Sequence, residues 1–189
     1  SYKIEVIPNG FDIETFNTTI APKDHVILKG FPKLITVGTV TERKGQLQVI
    51  KQIPDLLQQY PEIHYHCVGI PTLKDTFLQI AINLKVDKHV TFYGRVSDDV
   101  LTNLMQASDI FVMLSQHTKT GDVEGFGIAL IEANYQGLPC IGAKGCGIED
   151  AIKDRYSGRL IQADSKIEIK EAIEDILTHH KIYKEHSKA

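Results

Sequence analysis

The sequence predicts an α/β protein: an open parallel sheet with helices on both faces, Rossmann-like in type. Two observations predict it. Short runs rich in β-branched residues alternate with longer stretches whose apolar residues recur every three or four positions. One run, Asp109-Ile110-Phe111-Val112-Met113-Leu114, is apolar almost without interruption, as expected of a strand covered on both faces. Strand followed by helix, repeated about five times, implies parallel strands joined by right-handed crossovers.

Taken in order, Ile4 to Ile7 reads as a strand with a turn signal at Pro8-Asn9-Gly10, and the stretch to about Gly30 is the least regular part. Lys33 to Val37 is a buried strand ending at Gly38. Ile50, Ile53, Leu57 and Tyr60 then form one apolar helical stripe, which Pro54 should kink or cut short. Ile63 to Val68 is the second strand, closed by Gly69, and a helix follows over about Leu73 to Leu84. Val90 to Tyr93 is the third strand, closed by Gly94. Ser97 suits the N-cap of a helix through Ala107, with Asp98 and Asp99 in its first turn. Beyond the fourth strand, a loop from Ser115 to Val123 leads to a helix over about Gly125 to Tyr135. Leu138 to Ile141 and Gly158 to Ile161 are two further strands, and Ile167 to about His180 a closing helix.

The chain has 189 residues, 42% hydrophobic and 24% charged, so it is globular in composition and long enough for one ample core. It reads as one domain over residues 1–189. The net charge of −3 argues against a non-specific nucleic-acid binder. No run of about 18 apolar residues is present, so no membrane span is expected. Opening at Ser1, inside a strand-like run, the sequence reads as part of a longer protein. Cys67, Cys140 and Cys146 form no C-x-x-C pair and suit a reducing cytoplasm.

In such a sheet, ligands bind beyond the carboxyl ends of the strands. Three glycine-bearing loops fall there: Gly38 to Gly45, carrying Arg43 and Lys44; Gly121 to Gly127; and Gly142 to Gly147, carrying Lys144. Backbone N–H groups and cations at helix starts suit a phosphate or diphosphate, although each loop alone also reads as an ordinary turn. Neither a complete P-loop nor a dinucleotide G-x-G-x-x-G is present. Glu124 and Glu132 are separated by seven residues. On a continuous helix they stand about 12 Å apart, too far for a paired-carboxylate hydrolase but suited to the two ends of an extended ligand. On spacing alone the other reading also stands: Glu124 complements a helix N-terminus and Glu132 is a solvated charge. His64 and His66 share a strand face without a third metal ligand, so no metal is expected. His117 reads either as a loop histidine or as a sugar contact, and Lys144 as solvated or anion-binding.

The run Glu124-Gly125-Phe126-Gly127-Ile128-Ala129-Leu130-Ile131-Glu132-Ala133, then Gly137-Leu138-Pro139, resembles the signature of retaining GT-B glycosyltransferases, particularly family 4 (glycosyl transferases group 1). Val6 to Asp12, Val37-Gly38 with Lys44-Gly45, Phe92-Tyr93-Gly94, Ala107 to Val112 and Tyr156 to Leu160 fall in the family's order, over nearly the whole chain. The resemblance implies the C-terminal, donor-binding half of a GT-B enzyme, with the N-terminal acceptor domain outside this chain. The substrate is then a nucleoside-diphosphate sugar, with no cofactor. The acceptor is a glycan or lipid-linked glycan, and the setting is polysaccharide biosynthesis in the cytoplasm, with peripheral attachment to the inner membrane open for the full-length protein.

By the same resemblance Lys44 holds the diphosphate, Glu124 touches donor-sugar hydroxyls, and these two are the catalytic candidates. Glu132 takes the ribose hydroxyls, and Arg95 and Val96 the base. Gly38 and the backbone from Gly125 through Phe126, Gly127 and Ile128 face phosphate or sugar. Two departures stand out: Thr39 where many members carry Arg, with Arg43 as a substitute cation, and Asp150 where many carry Glu. The alternatives are a non-catalytic nucleotide or sugar-phosphate module and a related GT-B epimerase or phosphorylase.

Overall fold

The computed structural model describes residues 27–118 and 121–187; the expected strand and turn at Ile4 to Gly10, and the Val6 to Asp12 match, lie outside them. Six parallel strands form one sheet in the order β3-β2-β1-β4-β5-β6. They are β1 (Lys33–Val37), β2 (His64–Val68), β3 (Val90–Gly94), β4 (Ile110–Met113), β5 (Cys140–Ala143) and β6 (Gly158–Ile161). The helices are α1 (Gln46–Leu56), α2 (Lys74–Asn83), α3 (Asp98–Gln106), α4 (Ile128–Tyr135), α5 (Lys166–Thr178) and α6 (His180–Ser187).

Because strand side chains alternate, β4 feeds two cores. Ile110 and Val112 pack with α1, α2 and α5 residues such as Ile53, Phe77 and Ile173. Phe111 and Met113 pack on the opposite face with Leu104 and Met105 of α3 and Leu130 and Ala133 of α4. Both faces are therefore covered, as the uninterrupted apolar run requires.

The order of strand addition reverses between β1 and β4, the topological switch point where such sheets open a crevice. β1 and β4 pair only at Leu34↔Ile110 and Ile35↔Phe111, so their carboxyl ends part early. Beyond the ladder, Thr36 Oγ1 donates to the Val112 carbonyl and shares a 2.6 Å hydrogen bond with the Tyr65 hydroxyl. That buried bridge holds β1, β2 and β4 together just below the crevice.

Several boundaries differ from expectation for local reasons. Pro54 lies in the last turn of α1, which ends at Leu56, and single turns carry the chain on to Tyr60. Ser97 occupies the N-cap of α3, but its hydroxyl makes no capping bond; its carbonyl accepts from Leu101 N at 2.9 Å. β5 starts at Cys140, after Pro139, whose carbonyl accepts from Phe111 N at 2.9 Å. The closing helix breaks at His179, and the second helix α6 was not legible as a separate element. Short 3₁₀ turns at Asp87–His89 and Gly147–Ala151 were also unexpected. Among the described residues, no helix is long and apolar enough to cross a membrane.

Candidate functional site

The helix expected from Gly125 starts instead at Ile128, because Gly127 adopts a left-handed conformation (φ 74°) at its N-cap. Glu124 therefore lies in the loop, and the helical rise between Glu124 and Glu132 does not apply. The loop is pinned from beneath: Gly147 N donates to the Glu124 carbonyl at 3.0 Å. A Cβ on Gly147 would strike the Gly125 carbonyl, so only glycine permits this approach.

On the other wall, the β1–α1 loop runs from Gly38 to Gly45. Gly45 is left-handed (φ 78°) and caps α1 so closely under the Leu114 carbonyl that a side chain there would collide with it. Gln46, fully buried, donates through Nε2 to the Thr39 carbonyl at 3.1 Å and accepts from Thr41 N at 3.4 Å. Gln46 braces the loop and was missed in the sequence; a long polar residue at the first helical position, right after a glycine cap, was the available signal.

The two walls meet through charge. Lys44 Nζ lies 2.7 Å, and Arg43 Nη1 2.6 Å, from the same Glu124 oxygen, Oε2. Arg43 Nε also pairs with Asp122 at 3.1 Å, a partner that the sequence did not single out. Glu124 is only 7% exposed, so its charge depends on these cations for compensation. Thr39 brings no cation, and Arg43 reaches the site from the far end of the loop. The structure thus brings Arg43, Lys44 and Glu124 together, with Gly125, Phe126 and Gly127 leading from Glu124 into α4.

Glu132 sits half-buried in the second turn of α4. Burial, and then the charge of Asp98 at the start of α3, raise its pKa above the ordinary carboxylate value. Glu132 thereby adjoins the first turn of α3, the helix that Arg95 and Val96 precede; Arg95 is exposed and Val96 half-buried. Ile128 is 41% exposed at the mouth of the helix, whose first N–H groups have no intrahelical acceptors.

His64 and His66 are committed elsewhere. His64 Nε2 meets Thr91 Oγ1 at 2.8 Å, and His66 bonds the Tyr93 hydroxyl at 3.0 Å and the Lys29 carbonyl at 3.2 Å. Burial pushes both imidazoles down to about 4. Among the described residues no group of three or more His, Cys, Asp and Glu is placed to hold a metal. Cys67 and Cys140 are buried and Cys146 half-buried, all with free thiols. His117 bonds the Gly145 carbonyl at 3.0 Å through Nε2, and Lys144 pairs with Glu168 at 3.7 Å.

Sheet order and crevice define the class: a doubly wound α/β domain with a cation-bearing crevice at its switch point. Within that class the chain belongs to the glycosyl transferases group 1 family, whose model matches residues 17–189. It is 26% identical over 182 residues to a GDP-mannose-dependent alpha-(1-6)-phosphatidylinositol monomannoside mannosyltransferase of Mycolicibacterium smegmatis, covering 94% of this chain and 48% of the relative. A monoacylated-substrate counterpart from Corynebacterium glutamicum is 28% identical over 181 residues, covering 92% and 46%. The chain thus spans about half the length of these curated relatives. Anabaena HepE, solved in complex with UDP and glucose, shares the fold at a TM-score of 0.70 and 21% identity, over 83% of this chain and 42% of that one. The C-terminal domain of a group 1 glycosyl transferase from Francisella tularensis superposes at 0.69 and 22% identity, over 84% and 83%.

Proposed function

We propose that this chain is the donor-binding, C-terminal domain of a retaining GT-B hexosyltransferase of family 4, acting on a nucleoside-diphosphate sugar without a cofactor or metal. The observation that carries it is the convergence of Arg43 and Lys44 on Glu124 at the switch-point crevice. A diphosphate placed there takes the two cations and the N–H groups at the start of α4. Glu124 is freed toward the hydroxyls of the sugar, and Glu132 holds the ribose. Arg95 and Val96 flank the base.

Departure of the nucleoside diphosphate builds negative charge on the bridging oxygen. Lys44 and Arg43 stabilise that charge more in the transition state than in the ground state. Glu124, the acid on which both cations converge, is bound to them rather than free behind an anomeric carbon. This favours attack from the face that the diphosphate leaves, and trapping a glycosyl adduct on a carboxylate of this domain would refute it. The acceptor belongs to the N-terminal half, so the chain alone binds donor and transfers little sugar; turnover by the isolated chain on a known acceptor counts against that.

Calorimetry tests the reading. GDP-mannose, named in the mannosyltransferase relatives, and UDP-glucose are the donors to compare. Binding of one of them, lost in both Lys44→Ala and Glu132→Ala, supports it. Binding of free sugar phosphates alone, unchanged by either substitution, overturns it in favour of a sugar-phosphate module.

A further inference from the structure

A second cavity of about 370 Å³ opens at the carboxyl edge of β4, β5 and β6. Ser115, Gln116 and His117 reach it after β4, Lys144 after β5, and Gln162 and Asp164 after β6. Arg43, Lys44, Glu124 and Glu132 are not among its lining residues, so it is separate from the crevice.

One buried oxygen of a lining residue lacks a partner. Ser115 is 2% exposed, and its Oγ finds no hydrogen bond among the described residues. One layer behind, Gln52 is 4% exposed; its Nε2 donates to the Asp164 carbonyl at 3.3 Å while its Oε1 is left unpaired. Native interiors rarely leave such groups unsatisfied, and an unpaired hydroxyl on a lining residue calls for a polar occupant.

The remaining lining says which occupant. The Lys144 charge is already set against Glu168 at 3.7 Å, and Asp164 adds a carboxylate, so the described lining residues offer no surplus positive charge for a phosphate. Ala163 is the largest apolar side chain among the lining residues, which leaves no platform for a base or an acyl chain. Gln116 keeps its amide N–H groups, its oxygen accepting from Gln48 at 2.8 Å, and His117 keeps Nδ1; with the Ser115 hydroxyl, the Gln162 amide and the Asp164 carboxylate they supply both donors and acceptors. That mixture matches a ring of hydroxyl groups, and the volume lies at the low end of small-molecule sites.

We propose that this cavity is a carbohydrate site separate from the nucleotide crevice, holding one neutral pyranose ring. Amide NMR of the whole chain tests it with D-mannose and D-glucose as probes, followed by GDP. The expected result is that millimolar sugar shifts the amides of Gln116, Gly145 and Ala163 and leaves Gly38 and Gly127 in place. Ser115→Ala and Gln162→Ala each weaken this binding about threefold to tenfold. GDP then moves Gly38 and Gly127 without displacing the sugar. The proposal is overturned if neither sugar shifts the cavity amides, if both sugars act at Gly38 and Gly127 and are displaced by GDP, or if inorganic phosphate outcompetes them at the cavity. The GDP response is read in the same sample, so loss of the sugar site and loss of the donor reading are told apart.

Discussion

Lys44 Nζ and Glu124 Oε2 stand 2.7 Å apart, and Arg43 closes on that same oxygen at 2.6 Å. Glu124 satisfies the cations that a diphosphate would need. A ligand anion must displace a carboxylate held in place by the fold. Removing that charge therefore strengthens diphosphate binding: Glu124→Gln binds GDP about threefold to tenfold more tightly, the scale of a partly exposed ion pair. Discrimination between GDP-sugars falls in the same variant. Calorimetry with GDP, GDP-mannose and GDP-glucose reads both, and weaker GDP binding in Glu124→Gln would show that the carboxylate supports the anion site instead of competing for it.

The Glu124 loop keeps its place through the contact between Gly147 and the backbone at 124 and 125. Gly147→Ala forces a Cβ against the Gly125 carbonyl, and neither backbone can yield without moving the loop. Overpacking of this kind costs about 1–3 kcal/mol. Urea denaturation should show that loss, and GDP affinity should fall as well because Glu124 and the start of α4 shift together. A variant of unchanged stability would mean that the loop relaxes freely.

The strands were legible because both of their faces are buried: Ile110 to Met113 are apolar in sequence for the same reason that they touch two cores. The Lys44 and Glu124 loops were legible as glycine-rich segments beyond strand ends, where a parallel sheet places its ligands. Two parts were not. The start of α4 depends on one left-handed glycine, Gly127, and a periodicity count runs straight through it to Gly125. The second closing helix depends on a break at His179, whose imidazole turns back to Asp175 at 3.0 Å, a contact that spacing does not reveal. The convergence of two cations on one carboxylate 80 residues away is likewise a property of strand order, which parallel crossovers alone do not specify.

His64 and His66 make the domain acid-sensitive. Burial holds each imidazole at about 4 when folded, against an ordinary value of 6.5. The unfolded chain takes up protons first as pH falls, so their contribution is complete above about 6.5 and drains away toward 4. The two rings lie 4.7 Å apart and oppose each other's protonation, so the loss belongs to the pair and is on the order of a few kcal/mol. Urea midpoints measured from pH 7.5 to 4.5 should fall along this limb. His64→Gln, which keeps a polar atom for Thr91, should remove about half of the slope; an unchanged slope would place the titration elsewhere.

Glu132 has the opposite sign. Burial, with Asp98 second, raises its folded pKa above the ordinary value of 4.5. Below that value both states are protonated and folding loses nothing. As pH rises through the raised folded value the carboxyl must ionise in a half-buried position, and stability declines. Glu132→Gln is therefore at least as stable as the parent at pH 7 and indistinguishable from it at pH 4. If the carboxylate receives ribose hydroxyls, the same substitution weakens GDP binding about tenfold to a hundredfold, the range for hydrogen bonds to a charged group. A residue that costs stability while it strengthens binding is held for its ligand. Thermal melts at the two pH values and calorimetry at pH 7 separate the possibilities: a stability loss at pH 7 with unchanged GDP affinity would reduce Glu132 to a packing residue of α4.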